Sequence, residues 1–298
     1  LDGIQINPDD VFYLNFTSGT TGNPKGFLHS HNTLISRMIL TAKMQSAMSD
    51  GEHRVSLACS PMTHSYGHFS TYGCVFGPSP MVLVDRYNPT QILEFIQADK
   101  VTSLSGTPAH MMGIIDHVDF EKYDTSSIKS VGVGGARSSP ELIDRLDKLW
   151  GVKTGNTYGM GENLVHCMTF PNDPEDKIKD TVGRPVPWVE LKIVDTKDRS
   201  RVCETGEIGE ICFRGPTLFV GYNKQPEKTA ETRDSDGWFF TGDLGQVDEE
   251  GYLSFAGREQ EVINRGGSKI YPKEVEDLLG SHPNIREAAV VGMPDERM

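Results

Sequence analysis

Short runs of β-branched and aliphatic residues alternate with segments of helical periodicity from residue 11 to about residue 157. The runs are VFYLNF, RVSLA, MVLV, VTSLS, IKSVGV and VKTGNTY, and a helix is predicted over residues 89–98, between the third run and the fourth. Strands and helices in this order favour βαβ units, whose crossover helices place successive strands side by side and parallel. This stretch therefore predicts a mostly parallel sheet with flanking helices.

A second helix is predicted over residues 140–150. Ser138 or Ser139 can cap its first turn, and the fixed φ of Pro140 suits the first helical position. The expected apolar face consists of Leu142, Ile143, Leu146 and Leu149. This face would cover the predicted sheet.

The pattern changes after residue 180 to short strands separated by glycine turns, among them a turn at residues 248–251. From residue 257 a strand (EVIN), a helix opened by Pro272 and a strand (REAAVVGM) follow. The expected fold class is α/β. The expected parts are an α/β nucleotide- and acyl-binding subdomain over residues 1–180, an antiparallel β-barrel-like subdomain over 181–256, and a hinge with the start of a small α+β C-terminal domain over 257–298.

The charge and cysteine content exclude several classes of function. The net charge is -13, and no basic stripe with interleaved aromatic residues is present, so nucleic acid is not an expected partner. No apolar run approaches the roughly 18 residues that a membrane helix needs. Five scattered cysteines without a C-x-x-C pair argue against a zinc site or a disulfide framework and favour a reducing, cytoplasmic setting. Both ends of the chain look cut.

The segment 17–26 has the composition of a phosphate-binding loop. It follows an apolar strand and combines four hydroxyl side chains, three glycines and a lysine. Glycine lets the backbone approach a ligand, hydroxyls donate to phosphate oxygens, and lysine supplies a positive charge. Pro24 stands where the Walker pattern needs glycine, so the loop is of another type. The candidate phosphate-binding residues are Thr17, Ser18, Gly19, Thr20, Thr21, Gly22 and Lys25.

The string LNFTSGTTGNPKG resembles the signature of the adenylate-forming superfamily, which includes acyl-CoA synthetases, adenylation domains of peptide synthetases and luciferases. Further matches follow in the family's order: PMTHSYG (61–67), GVGGA (132–136), NTYGMGE (156–162), VGRPVP (182–187), GEIGEICFRGP (206–216), GWFFTGDLG (237–245) and GREQEVINRGGSKIYPKEVE (257–276). The resemblance covers nearly the whole chain. Its last segment is similar to the acid–CoA ligase branch, which implies ATP, Mg²⁺ and coenzyme A as cofactors and a role in fatty acid metabolism.

The resemblance implies which residues bind the nucleotide. Beyond the phosphate loop, these are Gly134, Gly135, Ala136, Asn156, Thr157, Tyr158, Gly159, Asp243, Phe255 and Arg258. The Tyr158 ring would stack on adenine, and Asp243, helped by Arg258, would accept hydrogen bonds from the ribose hydroxyls. Glu162 would bind Mg²⁺. The residues implied to be catalytic are Thr17, Lys25, Glu162 and Lys269.

The resemblance also places an acyl pocket, a hinge and a path for coenzyme A. The pocket residues would be His64, Tyr66, Gly132, Met160, Gly161, Asn163 and Leu164. The hinge would lie at Gln260, and Gly266 and Gly267 would line the pantetheine path. His64 and His68 are four residues apart, but no H-E-x-x-H pattern accompanies them, so a pocket role is favoured over a zinc site. The G-x-S-x-G elbow of serine hydrolases does not occur in the sequence, so a serine hydrolase is not supported.

The implied reaction has two halves. A small-molecule carboxylic acid reacts with ATP to give an acyl adenylate and pyrophosphate, and a thiol then displaces AMP. Gly161 stands where the family usually has threonine, Gln260 stands where it has aspartate or lysine, and its catalytic lysine would lie beyond Met298. The chain is therefore expected to bind ATP but to adenylate poorly alone. Two alternatives stay open: an enzyme that loads a carrier protein, and a non-catalytic nucleotide-binding module.

Overall fold

The computed structural model describes residues 5–17, 24–48, 54–76, 79–136, 138–265, 268–280, 282, 285 and 288–293. The strands are β1 (Val11–Thr17), β2 (Lys25–Ser30), β3 (Ser56–Ala58), β4 (Met81–Val82), β5 (Ser103–Gly106), β6 (Ser130–Gly134), β7 (Gly155–Tyr158), β8 (Cys167–Met168), β9 (Arg184–Pro185), β10 (Glu190–Val194), β11 (Gly209–Arg214), β12 (Gly221–Tyr222), β13 (Phe239–Val247), β14 (Leu253–Arg258), β15 (Ile263–Arg265) and β16 (Ser268–Ile270). The helices are α1 (His31–Met48), α2 (Ser65–Phe76), α3 (Pro89–Asp99), α4 (Pro108–Ile115), α5 (Pro140–Trp150), α6 (Glu175–Asp180), α7 (Pro226–Thr232) and α8 (Pro272–Gly280).

Seven strands form one sheet in the order β4-β3-β5-β6-β7-β8-β9. The first five pair in parallel, and β8 and β9 continue the sheet antiparallel. Helices α3, α4 and α5 contribute to one apolar core with β3, β5 and β6, in which Ile92, Leu104 and Met111 are fully buried. The mostly parallel sheet predicted from the alternating pattern is confirmed.

Helix α5 matches its predicted bounds but not its whole predicted face. Ser139 is the cap, since its Oγ accepts the backbone N–H of Leu142 at 3.2 Å, and Gly151 ends the helix with φ of +64°. Leu142, Ile143 and Leu146 are buried, as the periodicity predicts. Leu149 is 41% exposed, so its assignment to the apolar face is wrong. Trp150 packs against the core instead, and its Nε1 donates to Thr125 Oγ1 at 3.0 Å.

We expect Ile143→Ala to lower the free energy of unfolding by about 2–5 kcal/mol, because it removes a fully buried side chain and leaves a cavity. Leu149→Ala removes a leucine from the same helix at an exposed position and should cost much less. Urea denaturation of both variants measures the difference. Equal losses would contradict the difference in burial between Ile143 and Leu149.

A three-stranded antiparallel sheet, in the order β1-β2-β12, carries the glycine- and hydroxyl-rich segment. Thr17 at the end of β1 pairs with Lys25 at the start of β2. The phosphate-loop candidates Ser18, Gly19, Thr20, Thr21 and Gly22 lie outside the described residues. The two described ends of the loop are therefore held together as the base of a hairpin.

A four-stranded antiparallel sheet, in the order β10-β11-β13-β14, forms the β-rich part of the chain. The predicted turn joins β13 to β14: the N–H of Gly251 donates to the Asp248 carbonyl at 3.0 Å, and Gly251 has φ of +82°. Buried residues of this sheet, including Ile211 and Leu253, share a core with β8 of the seven-stranded sheet. The antiparallel arrangement is thus as predicted, with β10 and β14 as the edges among the described strands. The subdomain bounds at residues 180 and 256 stay predictions.

After β14 come a short 3₁₀ helix (Glu259–Glu261), the hairpin β15–β16 and helix α8. The strand predicted over residues 286–293 is wrong for its described part, because residues 288–293 form no strand. Val290 donates its N–H to Glu276 Oε1 at 3.0 Å, a side chain of α8, instead of to a strand partner. Within the described part of the chain, no helix combines the length and apolarity that crossing a membrane requires.

Candidate active site

A cavity of about 600 Å³ lies between one face of the seven-stranded sheet and helices α1 and α2, next to the β1–β2 hairpin. Parallel strands β3, β5, β6 and β7 contribute to its floor. It extends to their carboxyl ends, the edge where open α/β sheets bind ligands. The predicted site residues that line it are Thr17, His64, Tyr66, Gly132, Gly134, Gly135, Thr157, Gly159, Met160, Gly161, Leu164 and Arg258.

Glycines after β6 keep the cavity open at this edge. A Cβ atom at Gly134 would lie 3.0 Å from the Thr157 carbonyl oxygen, and Gly135 has φ of +79°. A side chain would be strained at the second position and crowded at the first. Gly134 is buried and pairs with Thr157 of β7, whereas the backbone of Gly135 is exposed at this edge.

Glu162 is the buried carboxylate closest in sequence to this edge, and it is 7% exposed. Its Oε1 accepts the hydroxyl proton of Tyr222 at 2.8 Å. Burial raises the pKa of Glu162, and the charges of Lys25 and Arg258 oppose that increase. A bound metal ion would favour the ionised form of this carboxylate, and the nearby cations Lys25 and Arg258 could bind a polyphosphate.

Asp243 and Arg258 lie opposite each other on β13 and β14. Tyr158 donates its hydroxyl to Asp243 Oδ2 at 2.5 Å, and Arg258 Nε lies 3.6 Å from Asp243 Oδ1. Burial raises the pKa of Asp243 to about 6, against the stabilising hydrogen bond from Tyr158 and the charge of Arg258. Strand β7 and the β13–β14 hairpin, which are far apart in sequence, thus meet at a carboxylate that can accept further hydrogen bonds.

The Tyr158 ring is half-buried against three other rings. The ring centroids of His166, Phe213 and Phe255 lie 5.2, 6.0 and 5.8 Å from it. Phe255 therefore supports the tyrosine from β14. The stacking of Tyr158 on adenine stays a prediction, and its hydroxyl is already committed to Asp243.

Two predicted ligand-binding residues use their side chains elsewhere. The Asn156 amide donates to the carbonyl oxygens of Ile178 at 2.8 Å and Thr181 at 3.4 Å, which joins β7 to the end of α6. Asn163 is fully buried: its Nδ2 lies 2.9 Å from His166 Nδ1, and its Oδ1 accepts from Thr217 Oγ1 at 2.5 Å. Neither side chain lines the cavity, because both satisfy buried polar groups behind it.

The remaining predicted residues occupy varied positions. His64 lines the cavity, and its Nδ1 accepts the N–H of Tyr66 at 3.2 Å. His68 stacks on Tyr13 with ring centroids 4.8 Å apart. Gln260 lies in the 3₁₀ helix, and Lys269 is exposed in β16, away from the cavity lining. Ala136 and Lys25 also stand outside that lining. The pantetheine-path residues Gly266 and Gly267 lie outside the described residues.

Gly161, which departs from the family pattern, has a partner on β2. A Cβ atom at Gly161 would lie 2.4 Å from Cε1 of Phe27, so the phenyl ring fills the space that a side chain would take. His29 Nε2 lies 2.8 Å from the Gly161 carbonyl oxygen and donates to it. Burial lowers the pKa of His29 to about 4, which keeps the ring neutral. Phe27 and His29, both missed from the sequence, hold the backbone next to Glu162.

We expect Gly161→Thr, which restores the usual family residue, to lower the free energy of unfolding by about 1–3 kcal/mol, because the new side chain overlaps the Phe27 ring. In a Phe27→Val background the same substitution should cost much less, since the ring is gone. A double-mutant cycle by urea denaturation measures this coupling. Additive losses would contradict the contact between the two positions.

Other residues of this cavity were also missed. Arg37 and Thr41 from α1, Arg54 before β3, and a row of serines line it. None belongs to a motif, and their positions in the sequence are far apart. The spacing of four residues between Arg37 and Thr41 places them on one helix face. It is the one sequence feature that connects any of these residues, and it does not indicate a ligand by itself.

The family profile of the AMP-binding enzymes matches residues 2–223. The chain belongs to the AMP-binding enzyme family. The resemblance drawn from its motifs is therefore confirmed, together with the α/β fold class. This AMP-binding enzyme chain is 36% identical over 301 residues to "Medium-chain acyl-CoA ligase ACSF2, mitochondrial" of Rattus norvegicus, an alignment that covers 97% of the chain and 48% of the relative. The chain thus spans about half the length of the curated relatives it matches.

Solved structures of similar fold include proteins with a bound nucleotide. ATP-bound MatB from Rhodopseudomonas palustris superimposes with a TM-score of 0.90 at 28% identity, over 99% of this chain and 57% of that one. O-succinylbenzoate coenzyme A synthetase (MenE) from Bacillus subtilis, in complex with ATP and magnesium ion, has a TM-score of 0.85 at 28% identity, over 98% of this chain and 59% of that one. The AMP-binding enzyme fold is therefore shared along almost the whole chain.

Proposed function

We propose that this AMP-binding enzyme activates a carboxylic acid with ATP, forming an acyl adenylate and pyrophosphate, and then transfers the acyl group to coenzyme A. The observation that carries the proposal is that the charges of Glu162, Asp243 and Arg258 interact beside the cavity that Arg258 lines, and that Thr17, at the base of the phosphate loop, lines the same cavity. Relatives named as acyl-CoA ligases support the same activity.

The nucleotide would lie across the carboxyl ends of β6 and β7. Gly134 and Gly135 leave room for adenine, and Asp243 accepts hydrogen bonds from the ribose hydroxyls while Arg258 supplies the nearby positive charge. Lys25 and the N–H groups of the loop that it ends would bind the outer phosphates. The two described ends of this loop, Thr17 and Lys25, are paired in the hairpin, and Thr17 lines the cavity.

The residues present fit a magnesium ion of the kind shared with phosphates. Among the described residues, no group of three or more histidines, cysteines, aspartates or glutamates could hold a metal alone. Mg²⁺ in nucleotide sites is commonly bound through one or two carboxylates plus phosphate oxygens, and Glu162 is one such buried carboxylate. When bound, the ion would neutralise charge on the phosphates. Tyr222 would orient the Glu162 carboxylate for this role.

The two half-reactions follow from this placement. An oxygen of the substrate carboxylate attacks the α-phosphorus of ATP, and the bond to the bridging oxygen breaks as pyrophosphate leaves. The thiolate of coenzyme A then attacks the acyl carbonyl carbon, and AMP departs with the electron pair of the broken carbon–oxygen bond. Lys25 and Arg258 offset negative charge in the first step.

Acid-dependent exchange of labelled pyrophosphate into ATP tests the first half-reaction in the whole protein. Formation of an acyl-CoA from the same acid tests the second, with a phosphopantetheinylated carrier protein as the competing acceptor. We expect exchange with a carboxylic acid and product with coenzyme A. Exchange followed by transfer to the carrier alone would show that the acceptor is a carrier protein and not coenzyme A. Nucleotide binding without exchange would indicate a non-catalytic module.

The place of the enzyme in the cell stays a prediction. The described cysteines Cys59, Cys167, Cys203 and Cys212 are free thiols, in keeping with the reducing, cytoplasmic setting predicted from their scatter. The rat relative is named as mitochondrial. Fractionation of the source cells, followed by detection with an antibody, decides between the two.

A further inference from the structure

The cavity has a strong excess of positive charge. Its described lining contains three arginines, Arg37, Arg54 and Arg258, and neither aspartate nor glutamate. The chain as a whole has a net charge of -13, so this lining runs against the general composition. Only Arg258 has a partner in the proposed nucleotide site, where it faces Asp243. Arg37, whose Nε and Nη1 have no described hydrogen-bond partner, therefore needs another explanation.

Arg37 is a buried cation whose donors are not all used. It is 7% exposed, and its Nε and Nη1 have no hydrogen-bond partner within the described residues. Burial alone lowers its pKa, to about 10, with no described carboxylate acting against it, so the guanidinium stays charged at neutral pH. Its charge also contributes, after burial, to lowering the pKa of His166 to about 3. A buried charge without a counter-ion is costly, which favours an anion supplied from outside the chain.

A row of serines lies on the floor of the cavity, among apolar residues of the same strands. Ser56, Ser103 and Ser130 begin three neighbouring parallel strands, and all three line the cavity in register. Arg54 donates from Nη2 to Ser103 Oγ at 2.7 Å and from Nε to Ser56 Oγ at 3.3 Å. Ser130 lies four residues before Gly134 on β6, so this row is about 13 Å from the glycine edge.

We propose that Arg37 binds a second carboxylate of the substrate, so that the enzyme activates one end of a dicarboxylic acid. This rests on the proposed function, since it assumes that the cavity holds the acyl group. The planar guanidinium can donate to both oxygens of a carboxylate, and the unpaired Nε and Nη1 belong to its two different donor edges, each of which Nη2 completes. Arg54 and the serine row add polar groups to a lining that also contains apolar residues.

The test compares acids that differ only in the second charge. Adipate, monomethyl adipate and hexanoate have similar chains, and kcat/KM for pyrophosphate exchange is measured for each with the whole protein. We expect the wild type to prefer adipate over monomethyl adipate by about 100-fold, the size of effect seen when a buried charge loses its partner. Arg37→Met should reduce this preference to within a few-fold of unity, and Arg37→Lys should restore part of it.

Arg145→Met is the matched control. Arg145 is an exposed arginine of α5 that pairs with Asp116 at 2.5 Å, outside the cavity lining, and its loss should leave the preference unchanged. If Arg37→Met does not fold, the preference of the wild type for adipate over monomethyl adipate still tests the proposal. Exchange that is no faster with adipate than with monomethyl adipate overturns the role of Arg37 alone. Absence of exchange with every carboxylic acid overturns the proposed function and this assignment with it.

Discussion

Replacing Glu162 by glutamine is expected to lower acid-dependent pyrophosphate exchange by about 100-fold or more in the whole protein. Glutamine has the shape of glutamate and can still accept the Tyr222 hydroxyl, so packing around residue 162 is retained. It lacks the negative charge that would bind Mg²⁺ with the phosphates of ATP. The loss should be accompanied by a higher Mg²⁺ concentration for half-maximal exchange, which a magnesium titration at fixed ATP measures.

Tyr222→Phe is the control for this prediction. It removes the 2.8 Å hydrogen bond to Glu162 but leaves the carboxylate in place. Because the carboxylate keeps the negative charge that would bind Mg²⁺, the rate should fall less than in the glutamine variant. Exchange by Glu162→Gln close to the wild-type rate, with an unchanged magnesium requirement, would show that this carboxylate is not the metal ligand.

Much of the fold could be predicted because its signals are local. The bounds of α5 follow from a serine cap, a proline in the first turn and a glycine in the left-handed region after the last turn. The parallel sheet follows from short apolar runs alternating with helices. The strand expected over residues 288–293 fails for a non-local reason, since a strand forms only where another strand accepts its hydrogen bonds. Propensity alone does not supply that partner.

The residues of the candidate site also divide into those with a local signal in the sequence and those without one. Gly134, Gly135 and Thr157 belong to contiguous motifs, and the fold brings them together at the edge of the sheet. Asn156 belongs to such a motif as well, yet its side chain joins β7 to α6, because a motif does not reveal which way a side chain points. Arg37 and Arg54 lie in no motif, and only the fold places both of them on the lining of one cavity.

The pairing of Gly161 with Phe27 shows why a departure from a family pattern is hard to interpret from one sequence. A missing threonine hydroxyl at residue 161 suggests a lost phosphate contact. The structure shows a phenyl ring in the space of the missing side chain, and a histidine that binds the same backbone. Gly161 and Phe27 are 134 residues apart, so sequence order gives no reason to connect them.

Replacing Asp243 by asparagine is expected to weaken the binding of adenosine at pH 8 by about 10- to 100-fold, because hydrogen bonds to an ionised acceptor contribute about 1.5–3 kcal/mol. Adenosine is the right probe, since it has the ribose hydroxyls but no phosphate that titrates in this range. The Tyr158 hydroxyl and Arg258 would remain to contact the asparagine. Isothermal titration calorimetry of both proteins measures the affinity.

The wild type should also lose affinity for adenosine as the pH falls through about 6, where Asp243 takes up a proton in the free protein. Protonation removes the charge and one acceptor, so binding is strongest above this pH and weakest below it. The asparagine variant should show no such step. Asp173→Asn is the matched control, since Asp173 is a buried aspartate that accepts from Tyr252 at 2.8 Å and pairs with Arg184 at 3.0 Å, outside the cavity lining. If Asp173→Asn weakens adenosine binding as much as Asp243→Asn does, the effect comes from loss of a buried carboxylate in general and the ribose assignment is wrong.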